Sequence, residues 1–348
     1  MTQKEIAAIL GISRATVARA LKGDENIKPE TRRRVLDLCE EVGYKKNYIS
    51  SVLANKNQRK KNIYAFLIRS KNENYLNGIV EGLEILQEEI TKYNVNLELI
   101  VTDIDKPEDQ LMKVRTVLKY SDVDGIIIIP LLQDEIEEAL EEYSEVHVVT
   151  LDKKINDRIS FIGSDYKSSG RIVGGIYSKL SREDDRIIVL DSDEDKISSR
   201  DYLEGFMEQL NLNRREGVEV SYIEDLNNNL DEIANIEGIR EAQYIYTTRH
   251  VSKVASFLRD IELEEIKIIS NGIDRDTIEL LRDDRIVVAT KENYFLQGYL
   301  AGKVVFNKLS GDRTHIDYKT KSEVVFKENI GQIEANHEKD IFKNFNIL

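Results

Sequence analysis

ISRATVARALKG, residues 12–23, carries apolar side chains at Ile12, Ala15, Val17, Ala18, Ala20 and Leu21, spaced closely enough to bury one face of a short helix. Arg14, Thr16, Arg19 and Lys22 are left over. Ser13 is placed to cap this helix and Gly23 to end it. Upstream, Thr2 and Glu5 form a capping box for a helix reaching about Leu10, with Ile6, Ile9 and Leu10 inward, and Gly11 permits a tight turn between the two. Pro29 opens a third helix running to Gly43, with Val35, Leu36, Leu38, Cys39 and Val42 set to pack beneath the others. Two short helices joined by a glycine turn make a helix-turn-helix, whose second helix fits a DNA major groove about 12 Å wide.

Charge divides the chain in the same place. Residues 1–61 hold 14 Lys and Arg against 7 Asp and Glu, a net of +7, so the rest carries −21 of an overall −14. A basic head on an acidic body points to a nucleic-acid-binding arm. At 348 residues and 41% hydrophobic, the chain is long and apolar enough for two or three folded units. Its one cysteine, Cys39, excludes a disulfide framework and fits a reducing compartment. The opening MTQKEIAAILG lacks a signal peptide's apolar run, and no stretch approaches the roughly 20 apolar residues of a membrane span. A soluble, cytoplasmic protein is expected.

From Asn62 the periodicity changes. NIYAFLI, LELIV, GIIIIP, VHVVTL, RIIVL, YIYT, IKIIS and RIVVAT are short apolar runs, separated by amphipathic stretches such as Tyr75 to Tyr93, Glu108 to Lys119 and Ser198 to Leu210. Continuous apolar strands with crossover helices imply parallel sheets covered on both faces. The number of units suits two doubly wound subdomains, so the expected fold class is a small all-α head plus an α/β body.

The segment TQKEIAAILGISRATVARALKGDENIKPETRRRVLDLCEEVGY, Thr2 to Tyr44, resembles the DNA-binding head of the LacI family of bacterial transcription regulators. The glycine turn, the Ser-x-x-Thr-Val run, an arginine three residues after that threonine, ETRRRVL and the closing GY all occur in order. The resemblance implies that Arg14, Ala15 and Arg19 read base edges: the arginines by bidentate bonds to guanine, Ala15 through its methyl group. It implies phosphate contacts from Thr2, Ser13, Thr16 and Tyr44. Ala18 departs from the usual serine, which removes one such contact. NYISSVLANKNQRKK then resembles the family's hinge, with Leu53 in the place of a leucine that wedges into the minor groove from each subunit of a dimer. Lys46 and Ser50 depart from that pattern, and by composition alone the stretch is a basic linker. A helix so short forms only where DNA and the partner subunit support it.

The body, about Ile63 to Ile333, resembles the periplasmic-binding-protein type I fold, in its ribose-binding-protein branch. NENYLNGIVEGLE, VDGIIIIP, VTLDKK, IGSDYKSSGR, SSRDYLEGF, NGID and RIVVATKENYFLQGYLAG carry the likeness. It implies three crossings between subdomains, near Ser164, Lys291 and Lys319, and a ligand cleft beyond the carboxyl ends of the strands. The expected organisation is therefore a head over 1–46, a hinge and linker over 47–61, and an effector domain over 62–333. Within that domain one subdomain takes about 62–164 and 292–318 and the other about 165–290 and 320–333, with a tail at 334–348. Residue by residue, the resemblance implies effector contacts from Tyr75, Asp152, Lys153, Arg200, Asp274 and Asn293. Tyr75 would stack on a sugar face, while carboxylates flanked by donors suit a polyol. For Arg200 and Asp274 a structural ion pair is the lesser alternative. Arg249 and His250 stand where sugar-binding relatives often carry an Asn-Asp pair, and with Arg200 and Lys153 they leave open an anionic ligand such as a sugar phosphate or uronate.

Enzyme chemistry lacks its usual devices. There is no G-x-S-x-G elbow, P-loop or G-x-G-x-x-G fingerprint, and His147, His250, His315 and His337 are scattered without metal-ligand spacing. DSDEDK, Asp191 to Lys196, fails as a calcium loop because Lys196 holds the position that needs glycine. The combined expectation is no cofactor or metal, no catalysis, and a homodimeric regulator that binds operator DNA and a small carbohydrate. A solute-binding receptor or an enzyme using the cleft is the alternative.

Overall fold

The structure, a computed structural model, describes residues 3–22, 24, 26–42, 59–70, 73–192 and 197–335. Thr2, Tyr44 and Leu53, the acidic loop at 193–196, and most of the hinge and tail lie outside them. The chain forms two compact units, residues 1–57 and 58–348.

In the first unit, Gly11 turns the chain with φ +67° between helices α1 (Gln3–Leu10) and α2 (Arg14–Lys22), and α3 (Pro29–Glu41) packs on both. Ile6, Val17 and Val35 are fully buried among Ala7, Ala20 and Cys39. Three apolar residues expected to help bury a face are out: Ala15 is exposed, Ile9 is 58% and Leu36 47% exposed. Successive residues turn by about 100° around a helix, which puts Ile9 and Leu36 each roughly that far from the centre of its packing face.

The second unit begins with strand β1 (Lys61–Arg69), followed by α4 (Glu73–Ile90), β2 (Val95–Asp103), α5 (Pro107–Tyr120), β3 (Gly125–Ile128), α6 (Gln133–Glu141), β4 (His147–Leu151) and β5 (Ser160–Ser164). Then come α7 (Tyr166–Leu180), β6 (Ile187–Asp191), α8 (Ile197–Leu212), β7 (Val218–Tyr222), β8 (Tyr244–Tyr246), α9 (Val251–Asp260), β9 (Lys267–Ile269), α10 (Arg275–Arg282) and β10 (Ile286–Lys291). It closes with α11 (Tyr294–Leu309), β11 (Asp317–Thr320), β12 (Glu323–Val325) and α12 (Ile330–Ala335).

Two six-stranded sheets result, in orders β11-β5-β4-β3-β1-β2 and β12-β10-β9-β8-β6-β7. All pairings are parallel except β10 with β12. Helices cover both faces, so neighbouring residues of one strand are buried on opposite sides. On β6, Ile188 and Leu190 pack toward Val254 and Leu258 of α9, while Ile187 and Val189 pack toward Val173 of α7 and Phe206 of α8. In the first sheet, Phe66, Ile126 and Ile128 meet Val114 of α5 and Ile136 of α6.

The chain passes between the sheets after β5, after β10 and between β11 and β12. The first two passages exchange helices: α7 packs on α8, the first helix of the second sheet, and α11 on α4, the first helix of the first. Glycine allows each pair to touch backbone to backbone. A Cβ on Gly298 of α11 would stand 2.2 Å from Ile79 O, and one on Gly205 of α8 would stand 1.9 Å from Lys167 O.

Candidate functional site

Helix α2 keeps its two faces distinct. Val17 and Ala20 are buried, while Arg14, Ala15 and Arg19 are exposed. Ser13 caps the helix as its position predicts: its Oγ accepts from Thr16 N–H at 3.0 Å and lies 2.9 Å from Thr16 Oγ1. Arg34 Nη2 donates to Leu10 O at 3.3 Å, fixing α3 to the carboxyl end of α1. The exposed side of α2 thus carries two guanidinium forks and a methyl group, with the Ser13 and Thr16 hydroxyls at its start.

In the body, four helices start at the carboxyl ends of strands beside the passages between sheets. Within their first two turns α4, α7, α8 and α11 place Tyr75, Tyr166, Tyr202 and Tyr294 together. Tyr75 meets Tyr294 edge to face with ring centroids 5.0 Å apart, and Tyr166 meets Tyr202 likewise at 5.1 Å. Asp152, just past β4 in the left-handed region at φ +62°, sits beneath them. Tyr166 Oη donates to its Oδ1 at 2.6 Å and Tyr75 Oη to its Oδ2 at 3.2 Å. Burial pushes the Asp152 carboxyl above its ordinary pKa against the pull of those two hydroxyls. The tyrosine hydroxyls are pushed up as well, by burial first and then by the neighbouring carboxylates.

A second carboxylate, the fully buried Glu292, stands on the second passage. Its Oε1 accepts from Tyr202 Oη at 2.5 Å and from Ser169 Oγ at 3.3 Å, and its Oε2 accepts from Ser322 Oγ on the third passage. Burial, and then the charge of Asp152, raise its pKa. Asn271 Nδ2 donates to Thr290 Oγ1 at 2.8 Å, and Asn271 Oδ1 accepts from Tyr246 Oη at 2.8 Å, extending the polar network along the second sheet. Gln297 completes the hinge: its Nε2 donates to Ser164 Oγ at 2.7 Å and Thr320 Oγ1 at 3.2 Å. One residue at the start of α11 thus holds the other two passages together.

Residues 64–313 match the family described as periplasmic binding protein domain, and residues 2–47 match bacterial regulatory proteins, lacI family. The chain belongs to the periplasmic binding protein domain family, with a head similar to the lacI family of bacterial regulatory proteins. The catabolite control protein A of Staphylococcus xylosus is 26% identical over 200 residues, covering 53% of this chain and 58% of that protein. The HTH-type transcriptional regulator RegA of Clostridium saccharobutylicum is 37% identical over 153 residues, 43% of this chain and 44% of that one. The match thus spans less than two thirds of either relative's length. Among solved structures, the transcriptional regulator CelR in its cellobiose complex superposes with TM-score 0.59 at 16% identity, over 93% of this chain and 98% of that one. GanP, a glucose-galactose binding protein from Geobacillus stearothermophilus, superposes with TM-score 0.65 at 19% identity, over 78% of this chain and 99% of that one. These likenesses establish the two-sheet fold.

Of the effector contacts the periplasmic-binding-protein resemblance implies, the structure joins Tyr75 and Asp152 directly. Lys153 is half-buried beside Asp152, and its charge opposes the rise in that carboxyl's pKa. Asp274 and Asn293 are helix caps: Asp274 Oδ1 accepts from Thr277 N–H at 2.8 Å at the start of α10, and Asn293 Oδ1 from Leu296 N–H at 2.7 Å at the start of α11. Arg200 is exposed on α8, two residues before buried Tyr202. Arg249 is half-buried after β8, beside His250, whose φ of +48° opens α9. Sequence reasoning missed Tyr166, Tyr202, Glu292 and Tyr294. Each lies inside a quoted motif, and a strand's carboxyl end just before it was the available signal. Among the described residues, no three His, Cys, Asp or Glu side chains are grouped to hold a metal, and no helix is long and apolar enough to cross a membrane.

Proposed function

We propose that this chain is a ligand-responsive transcriptional repressor of a carbohydrate-utilisation operon, acting in the cytoplasm without catalysis. Its heads bind a pseudo-palindromic operator as a homodimer, because one small head reads too few base pairs for a specific site and a symmetric pair reads twice as many. A carbohydrate effector between the two sheets changes their relative placement and so the spacing of the heads. The observation that carries the reading is the exposure of Arg14, Ala15 and Arg19 on a helix whose reverse face is the head's core. The regulators RegA and catabolite control protein A support regulation over turnover, and the sugar-named neighbours support the effector class.

The test is selection of duplexes from a random DNA pool with the full chain, followed by anisotropy titration of the selected site. A palindromic site should emerge. Replacing both Arg14 and Arg19 by Ala should weaken specific binding at least about 30-fold, since each bidentate contact is worth roughly 1–3 kcal/mol. Unchanged binding by that variant would remove the DNA-reading role. Prolonged incubation of a bound sugar with the protein should return it unaltered, and a hydrolysed or oxidised sugar would restore the enzyme alternative.

A further inference from the structure

Asp152 already has what a neutral sugar would bring it. Tyr166 and Tyr75 each give one of its oxygens an O–H donor, at 2.6 and 3.2 Å. A sugar hydroxyl entering here exchanges one O–H···O⁻ bond for another and displaces a buried phenol, so the exchange gains little. What Asp152 and Glu292 lack is a directly bonded cation, since Lys153 acts on Asp152 only through its nearby charge. Hydroxyl donors satisfy both, and among the described residues neither forms an ion pair. In the first turns of α7 and α11, the Ser168 and Leu296 amides donate to the cap side chains of Asp165 and Asn293. Around the two carboxylates stand Tyr75, Tyr166, Tyr202 and Tyr294, packed in two edge-to-face pairs.

A half-buried and a fully buried carboxylate among four tyrosines, neither in an ion pair with any described residue, are the surroundings that stabilise an organic cation through charge-assisted bonds. We propose that the Tyr75 and Tyr166 hydroxyls on Asp152 make the cleft select a polyol bearing an ammonium group, an amino sugar, over its neutral parent. An ammonium brings three donors and the missing charge, so it displaces the phenols where a hydroxyl does not. This rests on reading the cleft as the effector site, and it runs against the anionic effector that Arg249 and His250 left open.

Calorimetric titration of the full chain at pH 6.5 with glucose and glucosamine, galactose and galactosamine, and mannose and mannosamine tests it. At least one amine should bind tenfold or more tightly than its parent. Asp152→Asn should abolish that ratio, and the double variant Tyr75→Phe with Tyr166→Phe should narrow it by tightening the neutral sugar. Should Asp152→Asn fail to fold, the phenylalanine variant decides, and an unchanged ratio there overturns the proposal. Neutral sugars binding as tightly as their amines overturn the ammonium preference and leave the carbohydrate reading intact. No binding by any of the six, with operator binding preserved, overturns both.

Discussion

The Tyr202 hydroxyl donates to Glu292 Oε1 at 2.5 Å, tying the first helix of the second sheet to the second passage between sheets. The same carboxylate takes the Ser322 hydroxyl from the third passage and the Ser169 hydroxyl from α7, just past the first. A single buried acid therefore reports on every strand of the hinge, and its protonation state is coupled to how the two halves sit.

That coupling fixes a pH dependence. Burial, then the Asp152 charge, hold the Glu292 pKa above its unfolded value. The folded chain then binds this proton more readily than the unfolded one, so its contribution to stability is full below the ordinary carboxylate pKa and lost as pH rises through the raised one. Glu292→Gln keeps the shape and removes the charge. Its melting temperature relative to the parent should rise as pH climbs above the ordinary carboxylate pKa and level off above the raised one, and a flat or falling difference throughout would show that Glu292 is not under this strain.

The helix exchange makes a second, opposite expectation for two glycines. A Cβ at Gly298 meets Ile79 O at 2.2 Å, which only a shift of the whole α4–α11 pair can relieve. Gly331, on α12, has nothing within 4 Å. Gly298→Ala should therefore destabilise by about 1–3 kcal/mol or more, as overpacked cores do. Gly331→Ala should stay within about 0.5 kcal/mol, as surface changes do. Urea unfolding of both variants against the parent measures the contrast, and equal midpoints would refute the close approach.

Legibility followed burial. Strands such as Ile187–Asp191 and Gly125–Ile128 are buried on both faces, and their Ile and Val runs stood out. Four strands escaped notice: Ser160–Ser164, Val218–Tyr222, Asp317–Thr320 and Glu323–Val325. Val218–Tyr222 and Asp317–Thr320 lie at sheet edges, where exposed positions admit Glu, Asp and Lys and dilute the apolar signal. The head read well because capping and turn residues are local: Ser13 and Gly11 do in the fold what their positions imply. The cleft read poorly because its tyrosines come from four helices far apart in sequence. Arg200 and Asn293 drew attention as polar residues, while Tyr202 and Tyr294 beside them make the contacts with Glu292 and Tyr75.

Arg19 separates charge from geometry in the proposed DNA contact. It is exposed on α2, and Arg19→Lys preserves the positive charge while losing the planar fork that grips guanine O6 and N7. The salt dependence of operator binding should hold, since the number of neutralised phosphates is unchanged. Discrimination at one base pair of each half-site should fall by about 1–3 kcal/mol. Anisotropy titrations across point-substituted operators at two salt concentrations distinguish the effects. A uniform loss at all sites would make Arg19 a phosphate contact.

Gln297 offers the last test, because its two ends differ. Its Nε2 donates to Ser164 and Thr320, while its Oε1 is buried with no hydrogen-bond partner among the described residues. An orphaned acceptor costs about 1–3 kcal/mol, the same order as the two hydrogen bonds together. Thr320 Oγ1 also has an acceptor of its own at Gly163 O, 3.2 Å away. Gln297→Leu fills the same space, removes the orphan with the bonds, and should shift stability by less than about 1 kcal/mol. Gln297→Ala leaves a cavity at a fully buried site and should cost about 2 kcal/mol or more. A Leu variant as damaged as the Ala variant would mean that the Ser164 and Thr320 bonds, rather than the filled volume, hold the three passages in register.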